Sequence, residues 1–130
     1  MRILIVEDDL ASRKFLQKFL AGYGECDVTV DGIEAVDAFL MALEEGQPYA
    51  LICLDIMIPR VDGIKTLQTI RDLEKQRGLE AAQRVKVIMT TALNESQTVQ
   101  DSFASGCEAY AAKPIDTEKM LEVMRRLNLI

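Results

Sequence analysis

Short apolar runs alternate with longer segments of helical period along this chain. The apolar runs predict five strands, at about residues 2–7, 26–30, 50–55, 85–90 and 107–112. The segments that follow them carry apolar residues three or four positions apart, the spacing that packs one face of a helix against a core. Repeated strand–helix pairs predict an α/β protein with a parallel sheet. The run at 50–55 is apolar on both alternating faces, which predicts the centre of that sheet.

Polar residues that favour caps and turns indicate where the helices begin and end. Asn94 and Asp116 are the predicted N-caps of the fourth and fifth helices. Val99 and Phe103 are expected to form the inner stripe of the fourth helix. The charged segment 74–84 is expected to extend the third helix and add a turn before the fourth strand.

Composition narrows the class of protein. The chain has 130 residues, of which 49% are hydrophobic, and these values fit one domain with a substantial core. A net charge of −6 argues against direct nucleic-acid binding, because phosphate backbones favour clustered Lys and Arg. Cys26, Cys53 and Cys107 lack metal-ligand spacing and are interpreted as reduced core residues. With no apolar stretch long enough to span a bilayer, we expect a single cytoplasmic domain over 1–130, with no membrane contact and no output domain.

Polar residues follow four of the predicted strands at the point where each strand ends. They are Glu7-Asp8, Asp55, Thr91 and Lys113. The carboxyl ends of parallel strands meet at one edge of the sheet, where open α/β sheets bind ligands. The sequence therefore predicts one charged pocket, although Asp8 or the adjacent Asp9 could instead cap the first helix.

The residue types in this predicted pocket suit phosphoryl transfer. Three carboxylates repel each other, and a bound Mg²⁺ with oxygen ligands is the expected means of keeping them ionised. Asp55, from the central strand, is the best candidate nucleophile, since carboxylates form acyl-phosphate intermediates. Lys113 would contribute positive charge and Thr91 a hydroxyl donor to the phosphoryl oxygens.

Four motifs in the chain resemble the receiver domain of two-component response regulators. They are Val6-Glu7-Asp8-Asp9, Leu54-Asp55-Ile56-Met57-Ile58-Pro59 with Asp62-Gly63, Met89-Thr90-Thr91-Ala92, and Tyr110-Ala111-Ala112-Lys113-Pro114. The motifs occur in the family's order and together span nearly the whole chain. This resemblance implies a flavodoxin-like (βα)5 fold, with a five-stranded parallel sheet of order 2-1-3-4-5 and helices on both faces.

The resemblance also implies roles for individual residues. Asp55 would accept a phosphoryl group from a histidine kinase or a histidine phosphotransfer protein, and that donor must be another protein because this chain has no histidine. Mg²⁺ would be held by Asp8, Asp55 and the backbone carbonyl of Met57, with Glu7 acting mainly through a metal-bound water. The phosphotransfer would change the state of the protein itself, so we expect a signalling phosphoprotein rather than an enzyme that turns over a substrate.

A conformational switch is the further implication of the resemblance. Thr91 and Tyr110 would form the switch pair, and the peptide bond before Pro114 would be cis. Phosphorylation would draw Thr91 inward, let the Tyr110 ring fill the vacated space, and remodel the face of the fourth helix, fifth strand and fifth helix. A downstream protein target would bind this face, and the sequence leaves open whether a homodimer also forms through it.

Two positions that influence attack by water in this family are apolar in this chain. They are Met57, two residues after the nucleophile, and Leu93, two residues after Thr91. Neither side chain can orient a hydrolytic water by hydrogen bonding. We therefore expect the phosphoryl group to persist longer than in family members with polar residues at these positions.

Two alternative functions remain open at this point. The chain could be a phosphorylation-independent scaffold receiver, although it carries every residue that the chemistry needs. It could also be an aspartate-nucleophile phosphatase, a class with a second acid two residues after the first. Met57 occupies that position here, and 130 residues leave no room for the cap domain that such enzymes use.

Overall fold

Strands and helices alternate strictly along the part of the chain that the computed structural model describes, residues 1–92 and 96–130. The strands are β1 (Arg2–Val6), β2 (Glu25–Thr29), β3 (Leu51–Asp55), β4 (Lys86–Thr91) and β5 (Ala109–Ala112). The helices are α1 (Leu10–Leu20), α2 (Gly32–Glu44), α3 (Gly63–Gln76), α4 (Ser96–Ala104) and α5 (Thr117–Arg126). A 3₁₀ turn at Ala81–Gln83 lies between α3 and β4, which confirms the turn predicted in the charged segment.

All neighbouring strands pair in parallel, in the order β2-β1-β3-β4-β5. The predicted fold class and strand order are therefore confirmed. β3 lies at the centre of the sheet, and every one of its residues is buried. Asp55 ends this central strand and is paired in register with Thr90 of β4, so the candidate nucleophile lies next to the end of β4.

Helices cover both faces of the sheet, as strands without an exposed polar face require. Phe39 of α2 and Ile70 of α3 pack into the core cluster on one face. Leu16 of α1 and Met124 of α5 pack into the cluster on the other face. This two-sided core holds the sheet in place and leaves its carboxyl edge as the place where loops and functional side chains meet.

Of the two residues predicted to face the core from α4, one was predicted incorrectly. Phe103 is 48% exposed, Val99 is half-buried, and Ser102 is the buried residue of the helix. α4 lies against β5, a short edge strand rich in alanine, and the Ser102 hydroxyl is satisfied by donating to the carbonyl oxygen of Thr98 at 2.9 Å. Hydropathy spacing assumes that the largest apolar side chain faces the core, and here a small polar residue takes that place.

The remaining sequence predictions for the fold have mixed outcomes. Asp116 caps α5 by accepting from the backbone N–H groups of Glu118 and Lys119, as predicted. The predicted cap Asn94 lies outside the described residues. All three cysteines are free thiols; Cys53 and Cys107 are buried as predicted, whereas Cys26 is only half-buried. None of the helices within residues 1–92 and 96–130 is long and apolar enough to cross a membrane.

Candidate functional site

The structure brings the predicted site residues together at the carboxyl edge of the sheet. Glu7 directly follows β1, Asp55 ends β3, Thr91 ends β4 and Lys113 directly follows β5. The parallel sheet causes this convergence, because each strand delivers its last residue to the same edge. Of the four motifs predicted to meet here, three contribute side chains in direct contact, because Lys113 touches both Glu7 and Asp55.

Lys113 is the cation at the centre of the site. Its Nζ donates to Oε2 of Glu7 at 2.6 Å and to Oδ2 of Asp55 at 2.8 Å. Glu7 is fully buried, and Asp55 is only 4% exposed. Two carboxylates removed from water require a positive partner, since unpaired buried charges are very costly. The ammonium group therefore holds the two acids together across the ends of three strands.

The surroundings of Glu7 and Lys113 shift their proton affinities. Burial raises the pKa of Glu7 to about 7; the hydrogen bond from Lys113 opposes this shift, and the neighbouring carboxylate of Asp55 reinforces it. For Lys113, burial by itself lowers the pKa, but hydrogen bonds to Asp55 and Glu7 outweigh burial and hold the pKa above its usual value. The lysine is thus kept cationic at the point where phosphoryl oxygens would need positive charge.

A cluster of three acids at this edge has the composition of a divalent-cation site. One carboxylate oxygen from each of Glu7, Asp8 and Asp55 lies within 4.8 Å of the others. Asp9, not Asp8, is the N-cap of α1, since its side chain accepts from the backbone N–H of Ser12 at 2.9 Å. Asp8 therefore remains exposed and available beside the two buried acids. Hard oxygen donors in a small number fit Mg²⁺, which keeps several waters when it binds to protein.

The loop after β3 orients the carboxylate of Asp55. The backbone N–H of Met57 donates to Oδ1 of Asp55 at 3.1 Å, and Met57 itself is 63% exposed. Gly63 donates from its backbone N–H to the carbonyl of Ile56 at 2.9 Å. A Cβ atom at Gly63 would collide with the Asp55 carbonyl oxygen, so glycine is needed for this close approach. Sequence reasoning included Gly63 only as part of a motif and missed this supporting role.

The two predicted switch residues lie on neighbouring strands beside the site. Thr91 is fully buried, and its carbonyl oxygen accepts from the backbone N–H of Lys113 at 2.9 Å. Tyr110 is half-buried and packs against the core cluster on the α2 and α3 side of the sheet. Burial raises the pKa of Tyr110, and the charge of Asp55 raises it further. The Lys113–Pro114 peptide bond is cis.

Sequence comparison identifies a family for this chain. The sequence model of the response regulator receiver domain matches residues 3–125. The chemotaxis protein CheY of Treponema pallidum is 31% identical over 123 residues, which cover 93% of this chain and 78% of that protein. This chain spans about half the length of several other curated relatives that it matches.

Solved structures with the same fold include two in which a receiver is bound to another protein. One is the CheX–CheY complex of Borrelia burgdorferi with BeF₃ and magnesium, at 28% identity and a TM-score of 0.84, covering 98% of this chain and 89% of that one. The other is the Saccharomyces cerevisiae phosphotransfer protein Ypd1 with the receiver domain of Ssk1, at 28% identity and a TM-score of 0.80, covering 95% of this chain and 86% of that one. With the family match across nearly its whole length, this chain belongs to the response regulator receiver domains of two-component signalling systems.

Proposed function

We propose that this chain is a single receiver domain over residues 1–130 that accepts a phosphoryl group on Asp55 from a histidine kinase or a histidine phosphotransfer protein. The observation that carries this proposal is the contact of Lys113 with both Asp55 and Glu7 at the edge of the sheet. Asp55 combines burial, an oriented carboxylate and an adjacent cation, which are the requirements of a nucleophile that must then hold a dianionic group.

Phosphotransfer to Asp55 would form one bond to phosphorus and break another. A carboxylate oxygen of Asp55 forms a bond to phosphorus, and the bond between phosphorus and the imidazole nitrogen of the donor histidine breaks. The imidazole leaves with the electron pair of that bond and takes up a proton. The product is an acyl phosphate on Asp55, whose oxygens receive positive charge from Lys113 and a hydrogen bond from the hydroxyl of Thr91.

Mg²⁺ is the proposed cofactor, and the fit rests on the cluster of acids. Asp8, Asp55 and the carbonyl of Met57 would hold the ion, with Glu7 acting through a water ligand. When bound, the ion offsets the negative charge of the carboxylates and of the incoming phosphoryl oxygens. Glu7 also has a structural role in the site. Its Oε1 accepts a hydrogen bond from the backbone N–H of Asp9 at 3.1 Å and so fixes the loop that carries Asp8.

The signal would leave the domain through the face made by α4, β5 and α5. A phosphoryl oxygen on Asp55 would draw the hydroxyl of Thr91 inward, and the ring of Tyr110 would follow into the vacated space. Support comes from the position of Tyr110, which is half-buried on the edge strand β5 and so borders both the core and this face. A downstream protein would bind the altered face, and the net charge of −6 favours a protein over nucleic acid as that target.

Two further features support the proposed setting and class of the protein. Free thiols at all three cysteines suit a reducing compartment, and we place the protein in the cytoplasm on that basis. The chain would act as a phosphorylated signalling protein that catalyses its own phosphotransfer and dephosphorylation, not as an enzyme with substrate turnover. A scaffold receiver without phosphorylation is the alternative that the following experiment separates.

Intact-mass spectrometry after incubation with acetyl phosphate tests the proposal. The wild type should gain one phosphoryl mass with Mg²⁺ and none with EDTA. Asp55→Asn should gain none, whereas Asp72→Asn, which removes an exposed carboxylate of α3 away from the site, should behave as the wild type. Equal adducts on wild type and Asp55→Asn would contradict the proposal, and no adduct under any condition would favour the scaffold alternative.

A further inference from the structure

A second ionic cluster lies at the opposite edge of the sheet from Asp55. It consists of Arg71 and Glu74 on α3 and Glu108 directly before β5, and we call these three residues the Arg71 clasp. It contacts the residues at the amino ends of β4 and β5. Glu74 is fully buried and the Arg71 side chain is only 15% exposed, so these charges are held within the protein. Such a cluster persists only when nearly all of its hydrogen bonds are made.

The guanidinium group of Arg71 joins three separate segments of the chain. Its Nη1 donates to Oε1 of Glu74 at 2.7 Å and to the carbonyl oxygen of Val85 at 2.8 Å. Its Nη2 donates to both carboxylate oxygens of Glu108 at 2.9 Å. Nε and Nη2 also donate to the carbonyl oxygen of Gly106, at 3.0 and 2.9 Å. A planar group with several donors can make such a set of contacts, and a lysine cannot.

The two carboxylates of the clasp also bind the backbone where β4 begins. Oε2 of Glu74 accepts from the N–H of Val85 at 2.8 Å, and Oε2 of Glu108 accepts from the N–H of Val87 at 2.6 Å. Buried backbone N–H groups need partners, and these two find them in side chains. The start of β4 is therefore fixed to α3 and to the segment that precedes β5.

The same cluster holds the carboxyl-terminal end of α4. Gly106 follows that helix with a φ of +103°, and a Cβ atom there would lie 3.3 Å from Nε of Arg71. One turn away on α3, Nε2 of Gln68 donates to the hydroxyl of Ser105 at 3.1 Å. Two adjacent contacts thus attach the end of α4 to α3. The amino-terminal end of α4 at Ser96 instead lies close in the chain to Thr91, the proposed switch residue.

We infer that the Arg71 clasp is a fixed anchor for the carboxyl-terminal end of α4, so that α4 responds to phosphorylation by pivoting about this end. The clasp itself is independent of the proposed function, whereas the pivot rests on it. The first turn of α4, residues 96–99, would move with Thr91, while residues 105–109 and 85–87 would keep their positions. The partner-binding face would then change most at the end of α4 nearest the phosphoacceptor.

Hydrogen–deuterium exchange of the full chain, with and without BeF₃ and Mg²⁺, tests this inference. In the wild type we expect the added reagents to change exchange at 96–99 and to leave 85–87 and 105–109 unchanged. Arg71→Met should accelerate exchange at 85–87 and 105–109 by about ten-fold or more without any reagent, because it breaks several charge-assisted hydrogen bonds at once. Arg77→Met is the matched control, since Arg77 is an exposed arginine with one 3.8 Å contact to Glu44, and it should leave these segments unchanged.

The outcomes separate the clasp from the pivot. Arg71→Lys, which keeps the charge but not the planar set of donors, replaces Arg71→Met if the latter fails to fold, and should also accelerate exchange at 85–87 and 105–109. Equal exchange in the Arg71 and Arg77 variants would overturn the clasp. A wild type in which 105–109 responds to BeF₃ as strongly as 96–99 would overturn the pivot. If BeF₃ and Mg²⁺ changed exchange in no segment of the wild type, both the pivot and the proposed function would be overturned. The comparison of the Arg71 and Arg77 variants without reagents would still test whether the clasp anchors these segments.

Discussion

Replacing Lys113 by methionine removes the cation that holds Asp55 and Glu7 together while keeping an apolar side chain of similar length. In the wild type this ammonium is 2.6 Å from Glu7 and 2.8 Å from Asp55, and its side chain is only 17% exposed. Breaking a buried ion pair by removing one partner costs about 3–5 kcal/mol. Glu7 can take up a proton, since burial already raises its pKa to about 7. Protonation removes one of the two unpaired charges, so we expect a loss of stability near the lower end of that range.

Thermal unfolding in EDTA measures this loss directly. For a chain of this size, about 3 kcal/mol corresponds to a melting temperature lower by about 10 °C. Mg²⁺ can supply the positive charge that the variant site lacks and displace the proton taken up by Glu7, so Mg²⁺ should raise the melting temperature of Lys113→Met by more than it raises that of the wild type. Phosphorylation of the variant should nevertheless be impaired, because the acyl phosphate loses its positive partner.

Lys119→Met is the matched control for this experiment. Lys119 is an exposed lysine of α5, and its replacement should leave both the melting temperature in EDTA and the response to Mg²⁺ close to those of the wild type. If Lys113→Met had the same melting temperature as the wild type in EDTA, the buried ion pair would not stabilise the fold. An equal response of all three proteins to Mg²⁺ would refute the electrostatic argument for the site.

Three further changes have expected outcomes. Met57→Asn should speed loss of the phosphoryl group several-fold, since an exposed amide can orient an attacking water and a thioether cannot; decay of the mass adduct measures this. Hydrogen bonds from Tyr49 and Arg2 hold the pKa of Asp27 below its usual value, so their stabilisation is present above the unfolded-state pKa and is lost as pH falls through the folded one. Asp27→Asn should therefore cost under about 1 kcal/mol at pH 7, because the carboxylate is partly exposed, and in urea titrations this cost should shrink progressively as the pH falls below about 4. Gly63→Ala should lower the free energy of unfolding by about 1–3 kcal/mol and slow phosphorylation.

Each of these expectations has a result that would count against it. Unchanged decay in Met57→Asn would mean that this position does not control water attack. A stability difference between wild type and Asp27→Asn that does not shrink as the pH falls below about 4 would exclude the carboxylate as its source. Gly22→Ala is the control for Gly63→Ala, since a Cβ at Gly22 meets only ordinary contact distance, and equal effects of the two changes would remove the argument from close approach.

Much of the fold could be predicted because hydropathy and turn residues agree along most of the chain. β3 was expected at 50–55 and lies at Leu51–Asp55, since a run that is apolar on both faces has few alternatives in a sheet. The stripe of α4 was predicted incorrectly at Phe103 because this helix lies over a narrow edge strand, and its buried face depends on that neighbour. Spacing within a helix cannot include the shape of the surface against which the helix packs.

The same limit explains why the charged residues of the candidate site were predicted and those of the Arg71 clasp were not. Glu7, Asp55 and Lys113 lie at the carboxyl ends of strands, and the rule that these ends converge is enough to bring them together. Arg71 and Glu74 lie three residues apart on a helix, a pattern typical of an exposed ion pair, and their burial depends on Glu108 far along the chain. One feature of the sequence does indicate that Glu74 is buried. The 3–4 spacing of the apolar residues of α3 continues equally well at Leu73 or at Glu74.

Chemical trapping of the acyl phosphate tests the central claim most directly, because it distinguishes Asp55 from the other two acids of the cluster. The protein would be phosphorylated with acetyl phosphate and Mg²⁺ and reduced with borohydride, which converts an acyl phosphate to an alcohol. Peptide mapping would then locate the change. We predict homoserine at position 55 and unmodified residues at Glu7 and Asp8, with no reduction in Asp55→Asn. A reduced residue at Glu7 or Asp8, or reduction that persists in Asp55→Asn, would contradict the assignment of Asp55 as the phosphoacceptor.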